Sequence, residues 1–204
     1  MNPARLEAFS DGVFAIAITL LVLDLRVPPP EQLGGGHLLA ALGHQWPSYA
    51  AYLISFLVIG IIWVNHHAML GLVRHLDRRV LFANLALLLT VSVIPFPTRL
   101  FADYLTAPAG AHAAAVVYSA TMLAMSAAFT LLWLALTRDA RHLHEHIDPV
   151  TARAALRRFG IGGVVYAGTI ALALISAPAT LAAHAAIALY YCFDQLPVNA
   201  RPEP

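Results

Sequence analysis

Apolar residues fall in long blocks separated by short polar stretches, with no sustained period-two alternation. The first block, residues 12–23 (GVFAIAITLLVL), is preceded by Glu7 and Asp11 and followed by Asp24, Arg26 and Pro28-Pro29-Pro30. It has the length of a signal peptide core. The acidic flank, the single basic residue before it and the lack of a small-x-small cleavage site argue against one. The pattern predicts a first transmembrane helix over about 5–25, stopped by the proline triplet, which removes backbone donors. Further blocks predict spans over about 47–70, 80–95, 109–136, 159–177 and 179–193. Pro95-Phe96-Pro97 should break or end the third, and the sixth, at 15 residues, is short. A helix needs about 20 residues to cross a bilayer, though neighbours or local thinning accommodate less. The expectation is an all-α polytopic membrane protein, residues 1–204 forming one six-helix domain. The segment between Arg26 and Trp46, with Gly34-Gly35-Gly36, reads as a flexible outer loop, and 138–158 as a polar, partly helical loop.

Composition sharpens this. Of 204 residues, 60% are hydrophobic and 11% charged, and mean hydropathy is +0.72. Soluble domains carry about 25% charged residues, and a fold of this size hides only about 70% of its chain surface. A soluble enzyme, a disordered chain and a nucleic-acid-binding domain are therefore excluded. Cys192 is the one cysteine, which excludes an intrachain disulfide. All twelve basic residues are arginine. With both termini cytoplasmic, ten lie inside (Arg5, Arg74, Arg78, Arg79, Arg138, Arg141, Arg153, Arg157, Arg158, Arg201) and two outside (Arg26, Arg99). That asymmetry sets the orientation and supports an even number of spans.

Polar residues inside such segments need a reason, because carboxylates at membrane depth are costly and usually paired. Asp11 lies within two turns of the inner end of the first helix. It is either solvated at headgroup level or the anchor of a buried network with His66, His67 or Asn84, all predicted at the same depth; Asn65 is a weaker partner. Adjacent His66 and His67 point about 100° apart on a helix and do not readily share one metal ion. His142-Leu143-His144-Glu145-His146 is more metal-like in composition, but also reads as a solvated loop. On the first helix, Gly12, Ile16, Thr19 and Leu23 fall within about 60° of one another. Such a stripe packs on another helix of the same subunit or lines a pore, where apolar rings gate by dewetting. Periodicity does not choose. There is no Thr-Val-Gly-Tyr-Gly filter, no Gly-rich phosphate loop and no Gly-x-Ser-x-Gly or Ser-x-x-Lys.

Arg5 followed by Phe9-Ser10-Asp11-Gly12-Val13-Phe14-Ala15-Ile16-Ala17-Ile18-Thr19-Leu20-Leu21 resembles the opening helix of the endosomal and lysosomal potassium channel family (transmembrane protein 175) and its bacterial relatives. Ser55-Phe56, Gly60, Trp63, His66-His67, Asn84-Leu85 and Pro95-Phe96-Pro97-Thr98 are similar to its second and third helices. The resemblance implies a cation channel without a P-loop filter, in the bacterial cell membrane, as a homotetramer of single-repeat subunits whose first helices surround the axis. It implies Ile16 as the narrowest ring, Thr19 as a hydroxyl ring and Leu23 as a wider apolar ring, with Gly12 on the same stripe. It also implies that Arg5, Phe9, Ser10 and Asp11 tie the first helix to the next ones, with His66, His67 and Asn84 as partners. Modest potassium over sodium selectivity and some proton permeation are expected. No cofactor is expected beyond permeant potassium and other monovalent cations, and the partners are the bilayer and further copies of the chain. Two alternatives remain: a proton-coupled transporter using Asp11 and His66/His67, and a membrane enzyme using the 142–146 loop.

Overall fold

The computed structural model describes residues 3–29, 37–144 and 149–193. Its helices are α1 (Pro3–Leu20), α2 (Leu38–His44), α3 (Trp46–Leu70), α4 (Arg78–Val93), α5 (Pro95–Tyr104), α6 (Ala111–Thr137), α7 (Pro149–Ala173) and α8 (Ala177–Phe193). Among the described residues the only β pairing is an isolated bridge, Val73 to Leu143. Among the described residues, four helical stretches are long and apolar enough to cross a membrane: Pro3–Asp24, Trp46–Leu70, Arg78–Tyr104 and Ala111–Thr137. Ala177–Phe193 is apolar but shorter, and the part Ile161–Ala173 of α7 is apolar.

Local chemistry sets the boundaries. Pro47 stands in the first turn of α3, where its missing N–H is no loss. Asp77 caps α4 by accepting the Val80 N–H at 2.8 Å. Gly110, at φ 91°, precedes α6. A Cβ there would come within 2.7 Å of the Tyr104 ring, so the turn into α6 requires glycine.

Two expectations are refined. Pro95-Phe96-Pro97 break the third helix at Ile94, between α4 and α5, which is one of the two outcomes expected of them, but they do not end the span. The chain passes through Ile94 in the right-handed helical region and continues as α5, so the apolar stretch reaches Tyr104. The Ile94 N–H bonds Val91 and the Thr98 N–H bonds Ile94, so helical bonds resume beyond the prolines. Prolines in a first helical turn kink a span without stopping it. The segment read as an outer loop contains the short helix α2; Gly34-Gly35-Gly36 lie outside the described residues.

Helix α1 packs on α3 and α4, and α6 packs on α4, α5, α7 and α8. The interior between them is filled by Ile59, Leu87, Met122, Leu132, Trp133 and their neighbours, all fully buried. At one end the α3–α4 and α6–α7 connections are stitched together. The Arg74 N–H donates to the His142 carbonyl at 2.8 Å, and the His144 N–H to the Leu72 carbonyl at 3.1 Å. Arg74, Arg78, Arg79, Arg138 and Arg141 gather at that end. Arg26 and Arg99 lie at the other, where Asp103 meets both and Asp24 meets Arg99.

Candidate functional site

Helix α1 has two faces. Leu6, Ser10, Phe14 and Ala17 are buried against α3 and α4. The opposite face carries Phe9, Gly12, Ile16 and Thr19, and the 3-10 turn that continues the helix, Leu21–Asp24, carries Leu23; all are exposed, with Ile16 at 62% and Leu23 at 72%. A Cβ added at Gly12 would meet nothing within 4 Å. The stripe that helical spacing drew therefore touches no other helix of its own chain closely enough to be covered. The Thr19 hydroxyl lies 2.8 Å from the Ala15 carbonyl and 2.9 Å from the Ile16 carbonyl. Its one hydrogen is spent on the helix backbone, and its oxygen keeps lone pairs for an acceptor role.

On the buried face the polar groups form a chain. The Ser10 hydroxyl donates to the Leu6 carbonyl at 2.8 Å. The Asn84 Nδ2 donates to Ser10 Oγ at 3.0 Å, and the Asn84 Oδ1 lies 2.7 Å from His66 Nε2. With the amide oxygen as acceptor, His66 carries its proton on Nε2. Its Nδ1 is buried without a partner, and Phe14 packs 5.3 Å from the ring.

Asp11 does not join this chain. It lies about 100° from Ser10 around the helix, half-buried, and accepts the Trp63 indole N–H at 2.9 Å. Neither histidine is its partner. His67 is exposed and pairs with Glu7, Nδ1 to Oε1, at 2.7 Å. Asn65 bonds back to the Ile61 carbonyl on its own helix. Arg5 is exposed and makes no hydrogen bond or ion pair among the described residues. Of the residues singled out in sequence, the structure thus brings Ser10, His66 and Asn84 together and leaves Asp11, His67 and Arg5 around them.

A second polar layer was not foreseen. Ser55 Oγ lies 2.8 Å from Thr98 Oγ1 and 2.9 Å from the Tyr118 hydroxyl. The neighbouring Ser119 hydroxyl lies 3.0 Å from His184 Nε2. The Tyr118 and Tyr166 rings flank His184 at 4.9 and 5.8 Å. All are buried. The signal available in sequence was a histidine, His184, in the middle of an apolar span.

In the α6–α7 connection, His142 Nε2 lies 3.5 Å from Asp77 Oδ2. Arg141 holds Asp139 through its guanidinium and its backbone N–H, which lowers that carboxyl to about 2. Among the described residues no three His, Cys, Asp or Glu side chains group as a metal site; Glu145 and His146 lie outside those residues.

A family model described as the endosomal/lysosomal potassium channel TMEM175 matches residues 5–95, the stretch that holds α1, the Ser10–Asn84–His66 chain and the exposed stripe. A potassium channel of Streptomyces collinus is 53% identical over 197 residues, covering 97% of this chain and 95% of that one. This chain is a member of the TMEM175 family. The crystal structure of a homologue of the lysosomal potassium-selective channel TMEM175, from Chamaesiphon minutus, matches with a TM-score of 0.83 at 38% identity. It covers 93% of this chain and 96% of that one. The human endosomal/lysosomal proton channel TMEM175 is 32% identical over 156 residues, which is 73% of this chain and 30% of that protein. The TMEM175 fold here is a membrane protein whose α1 is held from one side by a buried hydrogen-bond chain and left open on the other.

Proposed function

We propose that this TMEM175 protein is a potassium-permeable cation channel of the bacterial cell membrane, built from four subunits of six spans with both termini in the cytoplasm. The single observation that carries the reading is the two-faced α1, tethered through Ser10 and uncovered along Gly12, Ile16, Thr19 and Leu23. A face left open in one subunit is covered in a closed ring, and four copies around one axis give that ring. The names of the bacterial relatives, potassium channels, agree with it. The clustering of arginines at the α3–α4 end supports a cytoplasmic position for that end.

In this reading four Ile16 side chains form the narrowest ring, dry when closed and wetted by a small tilt of α1. Four Thr19 oxygens replace part of a cation's hydration and favour potassium, the more easily dehydrated ion, over sodium. The preference is modest because no stacked carbonyl cage is available. Leu23 forms a wider ring outside. Proton passage is included, since mammalian and other vertebrate relatives are named proton channels.

Ile16→Asn is expected to raise basal potassium flux into liposomes, because a polar ring wets more readily. Unchanged flux in a correctly assembled protein removes Ile16 from the gate. The transporter reading needs a proton to pass from Asp11 to His66 or His67. Asp11 is bonded to Trp63, His66 to Asn84 and His67 to Glu7, so no direct hydrogen bond joins Asp11 to either histidine. Flux that saturates and follows a proton gradient would favour that reading instead.

A further inference from the structure

Between the first turns of α4 and the last turns of α6 lies an open cleft of about 1090 Å³. Its wall on the side toward the middle of the helices is apolar. Phe82, Leu131 and Leu134 line it and stand 57%, 52% and 45% exposed. Its rim is charged, with Arg79, Arg138, Asp77 and Asp139. Both carboxylates are engaged. Asp77 caps α4 through Oδ1 and faces His142 through Oδ2, while Asp139 is gripped by Arg141 at 2.7 Å. Among the described residues no carboxylate lies within ion-pair distance of the Arg79 or Arg138 guanidinium, and Arg79 acts on Asp77 only from further off. Arg78, stacked 5.5 Å over the Phe82 ring, and Arg141 add two more cations beside the rim.

We propose that this cleft binds one anionic glycerophospholipid of the cytoplasmic leaflet, its phosphate between Arg79 and Arg138 and the start of an acyl chain against Phe82, Leu131 and Leu134. The vertical order of the groups argues for a lipid. Guanidiniums stand at the helix ends, where headgroups lie, and the apolar wall begins one turn further into the span. Basic pockets between helices on the cytoplasmic side are suited to anionic headgroups. Guanidinium forks match phosphate oxygens in pairs. Free phosphate would use the rim and leave the apolar wall uncovered. Four guanidiniums against two engaged carboxylates leave an excess positive charge, which disfavours a zwitterionic headgroup. The leaflet assignment rests on the inward orientation proposed above.

The experiment is native mass spectrometry of the full-length channel in detergent, titrated with phosphatidylglycerol, phosphatidylcholine or inorganic phosphate. A micelle has no sidedness, so a wrong orientation leaves this result untouched, and potassium flux is measured separately. Phosphatidylglycerol is expected to bind more tightly than phosphatidylcholine. Arg79→Gln and Arg138→Gln are each expected to weaken it about fivefold, and together about thirtyfold. Leu131→Trp, an exposed position that keeps every charge, is expected to weaken it as well by filling the cleft. Equal binding of the two lipids overturns the proposal, as does undiminished phosphatidylglycerol binding in the double variant. Loss with the arginine variants but not with Leu131→Trp reduces the site to diffuse surface attraction and also overturns it. So does full displacement of the lipid by inorganic phosphate.

Discussion

Asn84 is the residue on which the tether of α1 turns. It donates to one helix and accepts from another, and both partners are buried. Asn84→Ala strips the acceptor from a buried imidazole N–H and the donor from Ser10, and leaving buried polar groups unpaired costs about 1–3 kcal/mol each. The variant is expected to melt well below the parent in detergent. A thermal midpoint equal to the parent's would show that the chain is not structural. Asp77 gives a second residue-scale expectation, through pH. The Val80 N–H it accepts holds its carboxyl below the ordinary value, with a smaller pull from His142. A lowered folded-state value means stability that is present at neutral pH and lost as pH falls below about 3.9, the free carboxylate value. Asp77→Ala is therefore expected to cost about 1 kcal/mol at pH 7, a typical loss for an N-cap. The gap between variant and parent should close in acid. A gap that persists at low pH would assign the loss to something other than the cap.

At the scale of the helices, the outer end of α1 is held differently from the inner. The turn ending at Asp24 meets Arg99 at 3.7 Å, and Asp103 meets Arg26 at 3.0 Å and Arg99 at 3.7 Å. Arg99 is 55% exposed, so water and salt screen these pairs. Arg99→Gln is expected to cost under about 1 kcal/mol, and high salt should remove most of the difference. A loss as large as that of Asn84→Ala would make the outer latch, and not the buried chain, the main tether. The contrast also shows why the helices were legible in sequence and the site only partly. Apolar run length marks spans because the bilayer demands it, and α3 and α6 agree closely with expectation. The proline pair marks the break but not the span's end, because whether Pro95 breaks or ends a helix depends on what packs beyond it, here α6 and the outer turn. The network centre shifted from Asp11 to Ser10 because charge draws the eye while burial is set by the helix face. Ser10 shares a face with Leu6, Phe14 and Ala17, and a 100° step moves Asp11 off it. Tyr118 and His184 were missed because their pairing spans 66 positions of chain, beyond the reach of helical periodicity.

For the whole molecule, the open stripe on α1 makes a sharp demand at Gly12. A glycine inside a helix costs about 1 kcal/mol relative to alanine. Within one subunit nothing stands near it, so a larger side chain there would fit and would help the helix. If the stripe faced lipid, Gly12→Leu would be neutral or stabilising. If four α1 helices converge on one axis, four leucines meet where the helices approach, and the overpacking falls on the assembly and not on the fold of the subunit. Gly12→Leu is therefore expected to keep its helical circular dichroism while losing the species of four 21.9 kDa chains in light scattering of the detergent-solubilised protein. Potassium flux should fall with it. An intact tetramer with parental flux would turn this face away from the axis and remove the ring of Ile16 and Thr19 with it. The choice of readout matters, because the buried chain from Ser10 to His66 is untouched by this change. A fall in helicity would locate the strain inside the subunit, where the structure shows open space.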